Sequence, residues 1–285
     1  MDKTLKIVKR FYRDQFDQYF HYLEKIDKNI NDGINKVHLH KLRLTIKNIK
    51  AVHQFFVMVD MDESVIEKLE KKLNKINKPL GKIRESQLNK AFAQKNLLNF
   101  NVQKAYLAYL KTKMVNDLKK LKKNIPFRAD SSNSSLITQI KKELHHQDEK
   151  VISVQLNSFL LKKVESIDSL LTGIANEQQI HQIRKTLKLI KFRLSLVKYH
   201  GIDEIKKFQK DLIKVEQIIG SWHDSIVFRD SLVEFVKENQ EFESLVRINL
   251  ELIEADSLMF QNELPDLIKP VLLELHKGFE KKEPV

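Results

Sequence analysis

The run HKLRLTIKNIK beginning at His40 returns as HQIRKTLKLIK beginning at His181, 141 residues later and identical at six of eleven positions. Such a duplication restricts the chain to folds that use one structural unit twice. The identities are mostly cations: His40, Arg43, Lys47 and Lys50 recur as His181, Arg184, Lys188 and Lys191. On a helix, steps of three, seven and ten residues at about 100° per residue bring four side chains within roughly an 80° arc, spread along about 15 Å. Leu42, Ile46 and Ile49, and in the second copy Ile183, Leu187 and Ile190, form a separate apolar stripe of the kind that faces a bundle core. A repeat kept for packing alone would hold its apolar positions best, and this one holds its charges. Neither stripe carries an Asp or Glu four residues on that would neutralise it, so an anion from outside is the expected partner.

The remaining composition agrees with helices throughout. Six Gly and five Pro in 285 residues leave little punctuation, and Leu, Ile, Lys and Glu dominate, an all-α composition. Periodicity predicts helices near 3–28, 36–58, 63–76, 82–97, 101–123, 134–171, 177–199, 203–218, 221–238, 241–262 and 265–280. Asn77-Lys78-Pro79 and His200-Gly201 read as helix ends, and Asn176 and Asp203 as N-caps. The Ser- and Asn-rich stretch 124–135 separates a first repeat, 1–130, from a second, 131–285.

A second matched pair supports that division. Leu80-Gly81-Lys82-Ile83-Arg84-Glu85-Ser86 corresponds to Ile219-Gly220-Ser221-Trp222-His223-Asp224-Ser225, at an offset of 139. Each Gly reads as a turn, and each acid as a first-turn residue at the positive end of the next helix. Arg84 is a better candidate than Glu85 for contacting an anion.

Charge is distributed unevenly. The net +13 divides into +15 over residues 1–150, where 32 Lys or Arg meet 17 Asp or Glu, and −2 over 151–285, where 19 meet 21. The second basic stripe therefore stands out against an otherwise slightly acidic half. A field of this kind concentrates polyanions: nucleic acid, anionic lipid or phosphate polymers. The absence of Cys excludes disulfides, thiolate metal sites and a cysteine nucleophile. Neither a signal-peptide core nor an 18-residue apolar run is present, so a cytoplasmic location is expected.

An HxxR helix with further cations in each of two repeats, each followed by an apolar-Gly pair and Arg/His-Asp/Glu, resembles the CHAD family, the conserved-histidine α-helical domain. The resemblance runs from the first helix to about residue 270. It implies two pseudo-symmetric four-helix bundles with a basic channel between them that binds inorganic polyphosphate without turning it over, no enzyme activity and no cofactor, and an association with polyphosphate granules. By position it makes His40, Arg43, Lys47, Lys50 and Arg84 one wall of that channel, and His181, Arg184, Lys185, Lys188 and Lys191 the other. Where the family pattern often pairs arginines, this chain has Lys47-Asn48 and Lys188-Leu189, and Glu85 replaces the usual Asp. Lysine lacks the bidentate fork, so affinity is expected to persist while geometric selectivity weakens.

Competing readings come from other classes. Weak, sequence-blind binding of RNA or DNA suits the basic charge, although the stripes hold no aromatic residues to stack bases. Phe55, Phe56, Phe192 and Tyr199 near the ends of those helices suit cores. A metal-dependent phosphohydrolase of the HD type is suggested by His223-Asp224 with His181 or His200, but the matching pair is Arg84-Glu85, and arginine cannot replace a metal-binding imidazole. His38 and His53, and His145-His146, are assigned to packing and to a solvated turn. The Leu107, Leu110, Met114, Leu118 and Leu121 stripe within the Lys-rich run 104–123 suits either an anionic membrane surface or bundle packing. No P-loop, HExxH or GxSxG pattern occurs.

Overall fold

A computed structural model describes residues 4–29, 35–58, 61–97, 99–125, 137–140, 142, 149–197 and 203–280. Eight long α-helices are found among them: α1 Thr4–Asn29, α2 Lys36–Met58, α3 Glu63–Asn96, α4 Phe100–Asn124, α5 Glu149–Leu170, α6 Glu177–Val197, α7 Asp203–Glu238 and α8 Glu243–Glu280. A 3₁₀ turn, Gln240–Phe242, joins α7 to α8. No strand occurs among the described residues, so the all-α class holds. Most of the linker at 124–135, together with His145-His146 and His200-Gly201, lies outside the described residues.

The chain forms two compact units, one of Met1–Arg84 with Val115–Ser158 and one of Glu85–Met114 with Phe159–Val285. In the first, α1 packs along α2, burying Tyr12, Phe16, Tyr19 and Leu23 against Leu42, Ile46, Ile49 and Phe56. In the second, Tyr106 of α4 meets Phe228 and Phe235 of α7 edge to face, and its hydroxyl donates to Ser231 Oγ at 2.8 Å. The six aliphatic residues of the two apolar stripes, Leu42, Ile46, Ile49, Ile183, Leu187 and Ile190, are all fully buried. Full burial of such a side chain is worth about 1.5–3 kcal/mol, which anchors each α2-type helix with its cations turned away from the core.

Three expected breaks do not occur. Helix α3 runs through Pro79, and α7 through Gly220. Helix α8 continues where a break near 263 was expected, and it contains Pro265 and Pro270. Pro79 has no N–H to offer the carbonyl of Lys75, four residues back. The side-chain amide of Asn124 takes that place, donating to Lys75 O at 2.9 Å, while Leu80 and Ile83 are buried just beyond. Gly220 costs α7 about 1 kcal/mol relative to alanine, but Ile219, Trp222 and Ile226 are buried around it and hold the helix together. Glu85 and Asp224 consequently sit mid-helix, and the dipole role expected of them does not apply. The N-cap at Asn176 does form: Gln179 N–H donates to Asn176 Oδ1, and Asn176 N–H to Gln179 Oε1, both at 2.9 Å, a reciprocal capping box.

Candidate functional site

Each unit carries one of the duplicated basic faces. In the first, α2 presents His40 and Lys47 as exposed and Arg43 and Lys50 as half-buried, and α3 contributes half-buried Arg84. The Arg43 guanidinium lies over Gly81: a methyl group added there would meet Nη2 at 3.8 Å and Nε at 3.9 Å. Glycine here is no turn residue. It is a flat stretch of helix surface across which an arginine can lie, and a side chain longer than alanine would push the guanidinium away. His40 feels the consequence of this crowding. Partial burial pulls its pKa below the ordinary imidazole range, and the charges of Arg84, Arg43 and Lys47 lower it further.

The second unit reproduces the pattern on α6. His181 is held low by burial and by Lys185, His223, Arg184 and Lys188. Arg184 and Lys188 are themselves depressed, first by burial. The Nε of Arg184 is buried with no hydrogen-bond partner among the described residues. The rings of His181 and His223 stack, with centroids 5.1 Å apart and planes at 20°. His223 Nδ1 stands 3.6 Å from Asp224 Oδ1, and Asp224 partly offsets the loss of charge stabilisation at Arg184. Stacked rings present their nitrogens in parallel planes, which is poor geometry for converging on one metal ion. Exposed Lys185 borders a shallow groove with Ser166, Ser169, Gln182 and Thr186.

The repeat extends below the charged surface. Thr45 and Thr186, identical in both copies, each donate their hydroxyl to the carbonyl four residues back, Lys41 O at 2.9 Å and Gln182 O at 3.0 Å. The absence of neutralising acids within each stripe does not extend to the neighbouring helices, and here the expectation of unneutralised cations needs correcting. Lys50 Nζ donates to Asn74 Oδ1 at 3.1 Å and lies 3.7 Å from Glu70 of α3. Glu216 of α7 bonds Lys191 and lies 3.5 Å from Lys188. At the 139-residue offset the position of Glu216 belongs to Asn77, so the second face carries a carboxylate where the first has an amide. The protein's own acids thus occupy the far end of each face, and the second face more fully than the first.

Three further residues escaped the sequence pattern. His53, assigned to packing, is completely buried, with Nε2 2.9 Å from Tyr12 Oη and Nδ1 3.3 Å from Glu70 Oε1. Burial drives its pKa down against the pull of Glu70. Arg193 is fully buried with its guanidinium carbon 3.7 Å above the Phe159 ring; burial brings its pKa down to about 9. It occupies the repeat position where the first copy has the buried Val52. Arg229 grips Glu177 with both terminal nitrogens, at 2.6 and 3.0 Å, and also reaches Asp230 and Glu254. Of the aromatic residues near the basic helices, Phe56 is in the core, as expected, and Phe192 is half-buried. Leu110 and Leu121 of the Lys-rich α4 are buried, so bundle packing accounts for them. No described helix is long and apolar enough to cross a membrane.

A family model of the CHAD domain matches residues 14–233. The crystal structure of the CHAD domain from the plant Ricinus communis is similar, with a TM-score of 0.70 and 13% sequence identity over 97% of this chain and 93% of that one. At that identity the likeness speaks for the fold alone. No curated protein matches the chain.

Proposed function

The chain belongs to the CHAD domain family, and on that premise we propose that it binds inorganic polyphosphate through the basic faces of α2 and α6 without turning it over, and that it associates with polyphosphate granules in the cytoplasm. One observation carries the reading. In both units the duplicated register of cations shares one helix face opposite a fully buried apolar stripe, and burial followed by repulsion from the neighbouring cations pulls the histidine below its ordinary range. A linear polyanion relieves that repulsion and supplies charge-assisted hydrogen bonds to the Arg and Lys groups. His40, Arg43, Lys47 and Arg84 form the contact set on the first face, with Lys50 at its edge. On the second face, His181 and Lys185 join Arg184, which feels the charge of Glu216 and Asp224, whereas Lys188 and Lys191 exchange the Glu216 carboxylate for phosphate on binding.

The decisive variant replaces Arg43, Lys47, Arg184 and Lys188 together with glutamine. Affinity for long-chain polyphosphate is expected to fall by about a hundredfold or more, with helix content by circular dichroism unchanged. Undiminished binding places the site elsewhere. Single-stranded RNA of matched charge, competing in moderate salt, separates this function from general nucleic-acid binding. RNA is expected to lose, because the basic faces offer no aromatic platform for its bases. Orthophosphate release in the same samples would identify a phosphohydrolase instead.

A further inference from the structure

Helix α8 begins beyond the segment matched by the family model, and its outer face carries a row of exposed apolar side chains. Leu245, Ile248, Leu252 and Met259 are 44%, 67%, 59% and 61% exposed. With Ala255 they repeat at alternating steps of three and four, the a/d pattern of a helix seam, confined to an arc of about 80° and running about 21 Å along the helix. The core face of α8, with Val246, Ile253 and Leu264, lies on the other side. The helix thus has two apolar stripes, and only one packs against its own unit.

The rim of the exposed stripe indicates what covers it. Glu251 lies along one edge, and Asp256 and Glu263 along the other, all exposed. Residues 241–266 hold seven Asp or Glu against one Arg. That arginine, Arg247, is bonded to Glu251 at 2.8 Å. In a protein of net charge +13 this is a local reversal of sign. Pairing two copies through this face would set carboxylate against carboxylate along both edges, which opposes self-association.

We propose that the outer face of α8 docks an amphipathic helix of another protein, one whose apolar seam is bordered by Lys or Arg. Such a helix buries the four large side chains and neutralises the acidic rim, so apolar contact supplies the affinity and the rim selects the partner. The surface shares no residue with the basic faces of α2 and α6. It would give a polyphosphate-binding protein a second attachment point, and it stands whether or not polyphosphate is the ligand.

The test uses the full chain and synthetic helical peptides of about three heptads, all with the same spacing: one with leucine at a and d and lysine at e and g, one with glutamate at e and g, and one with lysine at e and g but serine at a and d. The first peptide is expected to bind in fluorescence anisotropy and the other two to bind about tenfold more weakly or less. Ile248→Ser with Leu252→Ser, both at exposed positions, should weaken the first peptide about tenfold. Reversing Glu251, Asp256 and Glu263 to lysine should transfer the preference to the glutamate peptide. Equal binding of the serine peptide, or no effect of the Ile248 and Leu252 changes, overturns the proposal. So does a dimer of the chain in sedimentation that dissociates on Leu252→Lys, since a second copy would then be the occupant.

Discussion

His40 and His181 tie the protein's charge to pH. Both have pKa values lowered by burial and adjacent cations, so in the free protein they are largely neutral at pH 7. A bound polyanion raises those values, and binding therefore takes up protons and strengthens as the pH falls. Polyphosphate affinity should rise between pH 7.5 and 5.5 in isothermal titration, and His40→Gln with His181→Gln should flatten the profile. Folding stability has the opposite sign. With folded pKa values below about 6.5 the unfolded chain binds more protons, and buried His53 adds to the effect. The melting temperature is expected to drop from pH 7.5 to 5.5 and to recover when polyphosphate is added. Glu216 is the second residue to test. It competes for Lys188 and Lys191, so Glu216→Gln should tighten polyphosphate binding by about threefold to tenfold, equivalent to about 1 kcal/mol. Weaker binding would mean that the carboxylate orients the lysines rather than blocking them.

At the scale of the helix, one hydrogen bond helps α3 pass through a proline. Asn124→Ala leaves the exposed Lys75 carbonyl without the side-chain donor that replaces the missing Pro79 N–H, at a cost of about 0.5–1.5 kcal/mol in urea denaturation. In a Pro79→Ala background, where the backbone can supply its own donor, the cost should largely vanish; additive effects would show that the two residues act independently. Buried Arg193 is the other test at this scale. Its guanidinium is desolvated above Phe159 at a position filled by valine in the first copy, so Arg193→Met, which removes the buried charge and keeps the apolar length, is expected to leave the melting temperature nearly unchanged. Marked destabilisation would show that α6 depends on the polar contacts of this arginine. The helix breaks assigned to Asn77–Pro79 and Gly220 failed for the same underlying reason. Local propensity penalises such residues by a few kcal/mol at most, and buried neighbours such as Leu80, Ile83, Ile219 and Trp222 outweigh it.

For the whole molecule, a site built from many cations predicts a steep dependence on salt. If all eight Arg and Lys of the candidate set engage phosphate, affinity should fall about a thousandfold between 50 and 200 mM salt, because binding releases counterions; a change of less than about tenfold would leave too few contacts for two basic faces. The all-α class, the duplicated helices and their paired apolar and cationic stripes were determined by sequence alone, because each follows from a local periodicity that one helix imposes by itself. His53, Arg193, Glu70 and Glu216 belong to the other category. Their roles depend on side chains from different helices meeting in space, as Glu216 of α7 meets Lys188 and Lys191 of α6, and no spacing within a single helix encodes that meeting. Tertiary structure likewise decided that Gly81 receives Arg43 instead of turning the chain, and that α8 keeps one apolar stripe outside the core, since burial is a property of neighbours.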